Sequence, residues 1–143
     1  MHADGAKTLW QLAYAGSVGS QALLGIAALA RLIRCPGVED HVSAWPLGTG
    51  LRLPNSPIVF AEVYPSLIRE SVIAWREPEE ILDRAQVRIN ALAFSRLDSN
   101  GELLALFGGA PDLTLEERRI VEVEEAWMLG LGHADALMKA LAT

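Results

Sequence analysis

The order of apolar and polar positions along the chain predicts a succession of helices with few strands between them. Apolar residues recur at helical spacing in several segments, and two short apolar runs rich in β-branched and aromatic residues are typical of strands. The predicted helices cover residues 21–34, 78–97, a segment that opens at 114, and 134–142; the predicted strands cover 42–45 and 58–64. The helix that opens at 114 has a capping box of Thr114 and Glu117, and its period continues through Trp127 and Leu131. This order predicts a helix-rich α/β fold in which a layer of few strands is packed by helices.

The first predicted helix has Ser20 as its N-cap and ends at Cys35-Pro36-Gly37. Its buried stripe is expected to consist of five residues at helical spacing, Leu23, Leu24, Ala27, Ala28 and Leu32. The segment from Thr8 to Ala30 lacks charge and is nominally long enough to cross a bilayer, but polar residues and glycines interrupt it. We therefore predict a loop and a buried helix here, and no membrane segment.

The strand over 58–64 is the best strand signal in the chain, because six of its seven residues are apolar. Apolarity on both faces predicts an interior, parallel strand. Glu62 breaks the pattern on the face that it shares with Phe60 and Tyr64. A carboxylate in such a strand requires a partner or a proton, so Glu62 is a candidate site residue.

The helix over 78–97 is expected to begin at Pro78, with Glu79 and Glu80 at its positive end. At 100° per residue its buried face comprises Leu82, Ala85, Ile89, Leu92 and Ala93, while Arg84, Arg88 and Ser95 point to solvent. A polar row of Asp83, Gln86 and Asn90 runs between apolar positions on both sides, which include Val87. Such a row predicts the wall of a cleft.

Glu62 and Asp83 together form the candidate catalytic and metal-binding pair, with Gln86 and Asn90 as supporting neighbours. Carboxylate oxygens are the ligands that Mg²⁺ or Mn²⁺ prefers. The alternatives are that Asp83 only stabilises a helix N-terminus and that Glu62 only caps the following loop or pairs with Arg69 or Arg76. Two-metal hydrolysis usually needs a third or fourth acid, and no other acid lies on an obviously buried element.

A glycine-rich loop precedes the first helix and is a candidate anion site. Its residues Gly16, Ser17, Gly19 and Ser20 would present backbone N–H groups at the helix start. The loop lacks the lysine of a P-loop and the glycine spacing of a dinucleotide fingerprint. A tight packing turn is the alternative interpretation.

Composition narrows the class of protein. The chain has 143 residues, which predicts one domain, and its net charge of −6 gives no support to nucleic acid as a partner. Cys35 is the single cysteine, so an internal disulfide is excluded, and we predict a cytoplasmic protein in a reducing compartment. A mean hydropathy of +0.24 indicates a surface intended for a partner.

Several segments taken together resemble a known bacterial family. They are Trp10-Gln11-Leu12, Gly16-Ser17-Val18-Gly19-Ser20-Gln21, Trp45-Pro46, Glu62-Val63-Tyr64-Pro65-Ser66-Leu67, Asp83 with Ala85-Gln86-Val87, and Trp127-Met128-Leu129-Gly130. The chain resembles the C-terminal half of a poorly characterised family that is similar to predicted nucleases of the ribonuclease H-like fold. Its members often carry automated labels from cobalamin or molybdopterin guanine dinucleotide biosynthesis.

The resemblance implies that Glu62 lies on a late strand and that Asp83 begins the helix carrying the last acid. It also implies a longer architecture whose leading strand and aspartate precede residues 1–143, so that this chain is incomplete for catalysis alone. The sequence departs from the family at Ala27, where proline is expected, at Leu47-Gly48, where an aromatic and an acid are expected, and at Ala126, where glycine is expected. If active, the protein would be a metal-dependent phosphodiester hydrolase.

Two other classes of function stay open from the sequence. The high apolar fraction, 51%, with few strands favours a non-catalytic interaction or assembly module that forms a homo-oligomer or binds a missing N-terminal half. The glycine-rich loop favours a nucleotide- or anion-binding protein linked to cofactor biosynthesis.

Overall fold

The computed structural model describes residues 12–13 and 19–142, apart from the side chain of residue 125. The chain divides into two compact units. Among the described residues, the smaller unit comprises 12–13, 19–43 and 56–59, and the larger unit comprises 44–55 and 60–142. No helix in the described ranges is long and apolar enough to cross a membrane.

The smaller unit contains helix α1, Gly19–Leu32, followed by a 3₁₀ turn at Glu39–His41. The expected buried stripe of α1 is wrong, because Leu23, Leu24 and the other three predicted members are all exposed. Only Gly19 of this helix is buried. Helical periodicity predicted the helix, but the neighbouring elements decide which face is covered, and they leave this face open.

Two parallel strands form the sheet in the described part of the chain: β1, Val42–Trp45, as predicted, and β2, Ile58–Ala61. The prediction of an interior strand is wrong, because β2 alternates between exposed and half-buried residues. Apolar composition on both faces therefore does not correspond to burial on both faces. The chain continues from β2 into Glu62, which forms a single parallel bridge with Met128.

The larger unit is mainly helical. Its elements are a 3₁₀ turn at Pro65–Ile68, α2 at Arg69–Trp75, α3 at Leu82–Ser99, a 3₁₀ helix at Leu103–Gly108, α4 at Leu115–Ile120, a π-helical turn at Val121–Glu125, and α5 at Ala134–Ala142. The coarse expectation of a helix-rich α/β protein is confirmed. So is the helix over 134–142.

Helix α3 is the centre of the core in the larger unit and packs against α2 and α5. The buried face predicted from helical periodicity is confirmed at three of its five residues, because Ala85, Ile89 and Ala93 are fully buried, and the other two, Leu82 and Leu92, are half-buried. At the far end of α3, the Arg96 guanidinium donates to the carbonyl oxygens of Ala140 and Leu141, at 3.2 and 2.6 Å. These bonds satisfy carbonyl groups at the C-terminus of α5 and fix the two helices together.

The start of α3 differs from the prediction, because the helix begins at Leu82 and not at Pro78. Pro78 lies in a turn, and Glu79 adopts a positive φ of 63°. That conformation interrupts helical geometry. It allows Glu80 to fold inward before the helix begins.

Helix α4 begins with the predicted capping box: the Glu117 N–H donates to the Thr114 hydroxyl at 3.2 Å, and the Thr114 N–H donates to the Glu117 carboxylate at 2.9 Å. The expected continuation of this helix through Trp127 and Leu131 is wrong. The helix changes into the π turn and stops at Ala126, whose φ is 62°. Both apolar residues are nevertheless buried in the following loop.

Candidate functional site

Glu62 lies directly after β2 and its side chain is exposed. Its backbone is fixed on the larger unit, because the N–H of Leu129 donates to the Glu62 carbonyl oxygen at 2.7 Å. Among the described residues the ion pairs do not include Glu62, so the alternative of an arginine partner receives no support from them. The carboxylate is therefore held in place through its main chain and open to solvent.

Asp83 lies in the first turn of α3, and its side chain is also exposed. An acid at this position interacts favourably with the positive end of the helix dipole, as the alternative interpretation states. Its exposure leaves the carboxylate oxygens accessible to a cation or to a substrate. A role at the helix end and a role as a ligand are therefore compatible for this residue.

The two other members of the polar row connect α3 to the segment that follows Glu62. The Asn90 side-chain amide donates to the Pro65 carbonyl oxygen at 3.1 Å and to the Gln86 carbonyl oxygen at 2.8 Å. The Gln86 amide lies 3.4 Å from the hydroxyl oxygen of Ser66. The face of α3 that carries Asp83 is thus attached to the chain three and four residues after Glu62.

These contacts correct two details of the expected cleft wall. Asn90 is 6% exposed and its amide is used on main-chain carbonyls, so it positions the segment and does not line a cleft. Val87, expected as an apolar border of the row, is 70% exposed. The row is therefore open to solvent on that side of α3.

The acid with the most hydrogen-bond and ion-pair partners in the described part of the larger unit is Glu80, which the sequence interpretation placed at the positive end of a helix. Glu80 is 5% exposed, so a further acid is buried although it lies on no obviously buried element of the sequence. Arg88 holds it with two charge-assisted bonds, Nε to Oε1 at 3.0 Å and Nη2 to Oε2 at 2.8 Å. The Glu77 N–H adds a bond of 3.1 Å to Oε2, and Arg84 lies 3.7 Å from Oε1.

The Arg88 side chain is the main reason that the pKa of Glu80 falls from its ordinary range to about 2. The same partnership raises the pKa of Arg88. Arg88 was expected to point to solvent, but it is half-buried and also donates to the Trp75 carbonyl oxygen at 2.9 Å. Because both carboxylate oxygens of Glu80 are occupied, we assign this group to the α2–α3 junction and not to a metal site.

A sequence signal for this junction exists in the spacing of the arginines. Arg84 and Arg88 follow Glu80 by four and eight residues, and Arg76 precedes it by four. Positions that are four residues apart share a helix face, so two guanidinium groups point toward the start of α3. Arg76 donates through Nε to the Glu80 carbonyl oxygen.

The remaining candidate residues belong to the glycine-rich loop before α1. Gly16 and Ser17 of the glycine-rich loop lie outside the described residues. Gly19 and Ser20 form the first turn of α1, where Gly19 is buried and Ser20 is exposed. In the described ranges, no group of three or more His, Cys, Asp or Glu side chains is arranged to hold a metal ion.

A surface depression of about 370 Å³ lies beside the contacts of Gln86. It is lined by Ser66, Leu67, Ile68, Arg69, Glu70 and Met138. Ser66 thus belongs both to this depression and to the contact with α3. The depression carries one positive and one negative side chain, the exposed Arg69 and Glu70, and the guanidinium of Arg69 is the group in it that suits a phosphate.

Comparison of the chain with protein-family models, with curated proteins and with solved structures gave no match. The resemblance to ribonuclease H-like predicted nucleases therefore stays a prediction. Function has to be inferred from the geometry of the chain itself.

Proposed function

We propose that Glu62 and Asp83 supply two carboxylates to a divalent-cation site of the metal-dependent phosphodiester hydrolase type. The proposal is supported by one observation above the others, the bonds that join Asn90 and Gln86 to Pro65 and Ser66. They attach the helix that carries Asp83 to the segment that leaves Glu62. Because these hydrogen bonds join α3 to the segment after Glu62, the carboxylates of Glu62 and Asp83 lie on connected elements, which suits a shared cation.

The oxygen donors of such a pair fit Mg²⁺ or Mn²⁺. A bound cation of this kind supplies Lewis-acid polarisation of a phosphoryl oxygen. Arg69, beside the depression next to Ser66, would hold a substrate phosphate by charge. Metal-dependent hydrolysis usually requires further acids, so we propose that the pair is incomplete for catalysis by itself and is completed by another protein segment.

Calorimetric titration with Mn²⁺ tests the pair without requiring turnover. We expect the unmodified chain to bind the ion and Asp83→Asn and Glu62→Gln each to weaken binding by about tenfold or more, since each removes a ligand. Asp98→Asn is the matched control, because Asp98 is an exposed acid at the other end of α3. Equal affinity of the Asp83 and Asp98 variants for Mn²⁺ would refute the assignment.

Cleavage of a fluorescently labelled RNA–DNA hybrid in the presence of Mn²⁺ is the second measurement. Activity that Asp83→Asn abolishes and Asp98→Asn preserves would extend the proposal from cation binding to hydrolysis. Cleavage that survives Asp83→Asn would come from elsewhere and would count against the site.

A second candidate function is a protein-interaction or assembly module, and a specific observation favours it. The apolar side chains of α1 are exposed, including Leu24 at 75% and Leu23 at 60%. Contiguous exposed apolar surface on a soluble protein is typical of an interaction site. The residues expected in a core would then serve as a binding face.

Leu24→Gln tests whether this face is a surface or a core. At sub-micromolar concentration we expect an unchanged unfolding midpoint and weaker binding of an apolar-surface dye, because the side chain is exposed in the folded chain. Leu115→Gln, at an 88% exposed leucine of α4, is the control for the general effect of removing a surface leucine. A large loss of stability in Leu24→Gln alone would identify α1 as core and remove the assembly function.

A further inference from the structure

We infer that the partner of α1 is a second copy of this chain, bound through α1 in antiparallel orientation about a two-fold axis. This inference rests on the second candidate function, and names the occupant of the exposed face. It is independent of the carboxylate pair.

The face available for pairing is apolar and without charge along most of its length. No charged residue occurs from Gly19 to Ala30, and the leucines and alanines of the expected buried stripe lie in solvent. A surface without charge is best covered by another apolar surface, because a charged partner would lose hydration without gaining an opposite charge. Helix α1 is itself such a surface.

The sequence of α1 is complementary to its own reverse. Its fourteen residues have their midpoint between Gly25 and Ile26. A two-fold axis at the midpoint brings Leu24 of one copy level with Ala27 of the second copy, and Leu23 level with Ala28. Of the stripe, Leu23 and Leu24 lie before the midpoint and Ala27 and Ala28 directly after it, so at these four positions large side chains meet small ones, as close packing of helices requires.

A parallel pair would not have this complementarity. Leucine would lie level with leucine and alanine with alanine, which crowds one half of the contact and leaves the other half loose. Since a two-fold contact uses the same patch on both copies, the pairing is closed and stops at a dimer.

Charge also selects the antiparallel orientation. Arg31 is exposed near the end of α1, and parallel pairing would bring two arginines to the same level. Antiparallel pairing brings Arg31 level with Ser20 of the second copy and separates the two arginines by roughly 17 Å along the axis, at 1.5 Å per residue. This distance exceeds the Debye length of about 8 Å at physiological ionic strength. The two helix dipoles are then also opposed, which is the favourable arrangement.

Disulfide trapping distinguishes the two orientations. In a Cys35→Ser background, Ser20→Cys and Arg31→Cys are prepared as separate proteins and oxidised with diamide, alone and as an equal mixture. We expect a covalent dimer in the mixture and almost none in either protein alone, because position 20 meets position 31 of the second copy. Covalent dimers within each separate protein would establish parallel pairing and overturn the inference, as would their absence from all three samples.

Light scattering on the unmodified chain provides the non-covalent measurement. We expect about twice the mass of the 15.5 kDa chain at high concentration, with Leu24→Gln reduced to a monomer and Leu115→Gln unchanged. A monomer at all concentrations would overturn the second-copy inference while leaving the assembly function, which the dye and stability measurements test separately. A dimer that Leu24→Gln leaves intact would place the contact elsewhere and also refute the inference.

Discussion

Ala126 is the position where a single substitution is expected to stabilise the chain. It follows the π turn Val121–Glu125 with φ 62° and ψ −172°, while its N–H bonds to the Val121 carbonyl oxygen at 3.0 Å. This combination of dihedral angles lies in a region that is populated almost only by glycine. Alanine is therefore strained at this position.

The size of the effect follows from two opposed contributions. A non-glycine residue in such a conformation costs about 1–3 kcal/mol, which Ala126→Gly relieves. Glycine adds flexibility to the unfolded chain, which removes roughly 0.5–1 kcal/mol of the gain. Central values of about 2 and roughly 0.75 kcal/mol for the two contributions leave an expected net increase of about 1 kcal/mol in the free energy of unfolding, or roughly 3 °C in the unfolding midpoint for a chain of this size.

Urea denaturation followed by circular dichroism measures this increase. Ala91→Gly is the matched control, because Ala91 is exposed in the interior of α3 and the same substitution should there lower the free energy of unfolding by about 1 kcal/mol. Opposite signs for the two alanine-to-glycine changes are the expected result. An Ala126→Gly protein that is no more stable than the unmodified chain would show that the backbone at 126 is not held in the glycine region.

Three further predictions concern the larger unit and its turns. Because the pKa of Glu80 is lowered to about 2, its ionic bonds stabilise the fold above its ordinary pKa of 4.5, and this contribution is lost as the pH falls toward 2. Glu80→Gln should therefore lower the free energy of unfolding at pH 7 and flatten its dependence on pH in the acid range. Unfolding measured as a function of pH tests this, and an unchanged slope would refute the role of Arg88. Gly132→Ala should lower the free energy of unfolding by about 2–4 kcal/mol, because φ is +86° and a Cβ would lie 2.4 Å from that of Ala110. Gly37→Ala, at φ +81° with open space around the position of the Cβ, is the control and should show only the backbone strain of about 1 kcal/mol. Similar losses for the two variants in urea denaturation would contradict the close contact. Thr114→Ala should lower the free energy of unfolding by about 1 kcal/mol in the same assay, because it removes the N-cap of α4, whereas Thr114→Ser should retain most of the stability. A serine variant no more stable than the alanine variant would argue against the cap.

Local signals in the sequence predicted the elements whose cause is local. The strand at Val42–Trp45, the helix at Ala134–Ala142 and the capping box at Thr114 depend on residues that are close together in the chain. The buried face of α3 was also predictable, since a helix enclosed by neighbours buries the stripe that its periodicity defines. These features needed no knowledge of the tertiary arrangement.

The errors arose where distant parts of the chain decide the outcome. Helix α1 has an apolar stripe, yet Leu24 is largely exposed because no described element covers it. Glu80 was expected in the first turn of a helix, but it precedes the helix, and after the positive φ of Glu79 its side chain is buried against Arg88. Periodicity states which residues share a face and does not state what lies opposite that face.

The candidate site was predictable only in part for the same reason. Sequence spacing placed Asp83, Gln86 and Asn90 on one face of α3, and the contacts of Gln86 and Asn90 with residues 65 and 66 became visible only in three dimensions. Asn90 was expected to support a cleft directly, and its actual bonds hold the segment after Glu62. Asn90 is therefore a residue that positions the segment after Glu62 and not a neighbour of a metal ligand.

The claim that Glu62 and Asp83 share one cation is tested most directly by paramagnetic broadening of amide signals on addition of Mn²⁺. We expect the signals of residues 62–66 and of the first turn of α3 to broaden together, with the same dependence on Mn²⁺ concentration. Asp83→Asn should remove the effect from both segments at once. Broadening of only one segment, or broadening centred on the acidic turn that contains Glu122 and Glu124, would contradict a shared site.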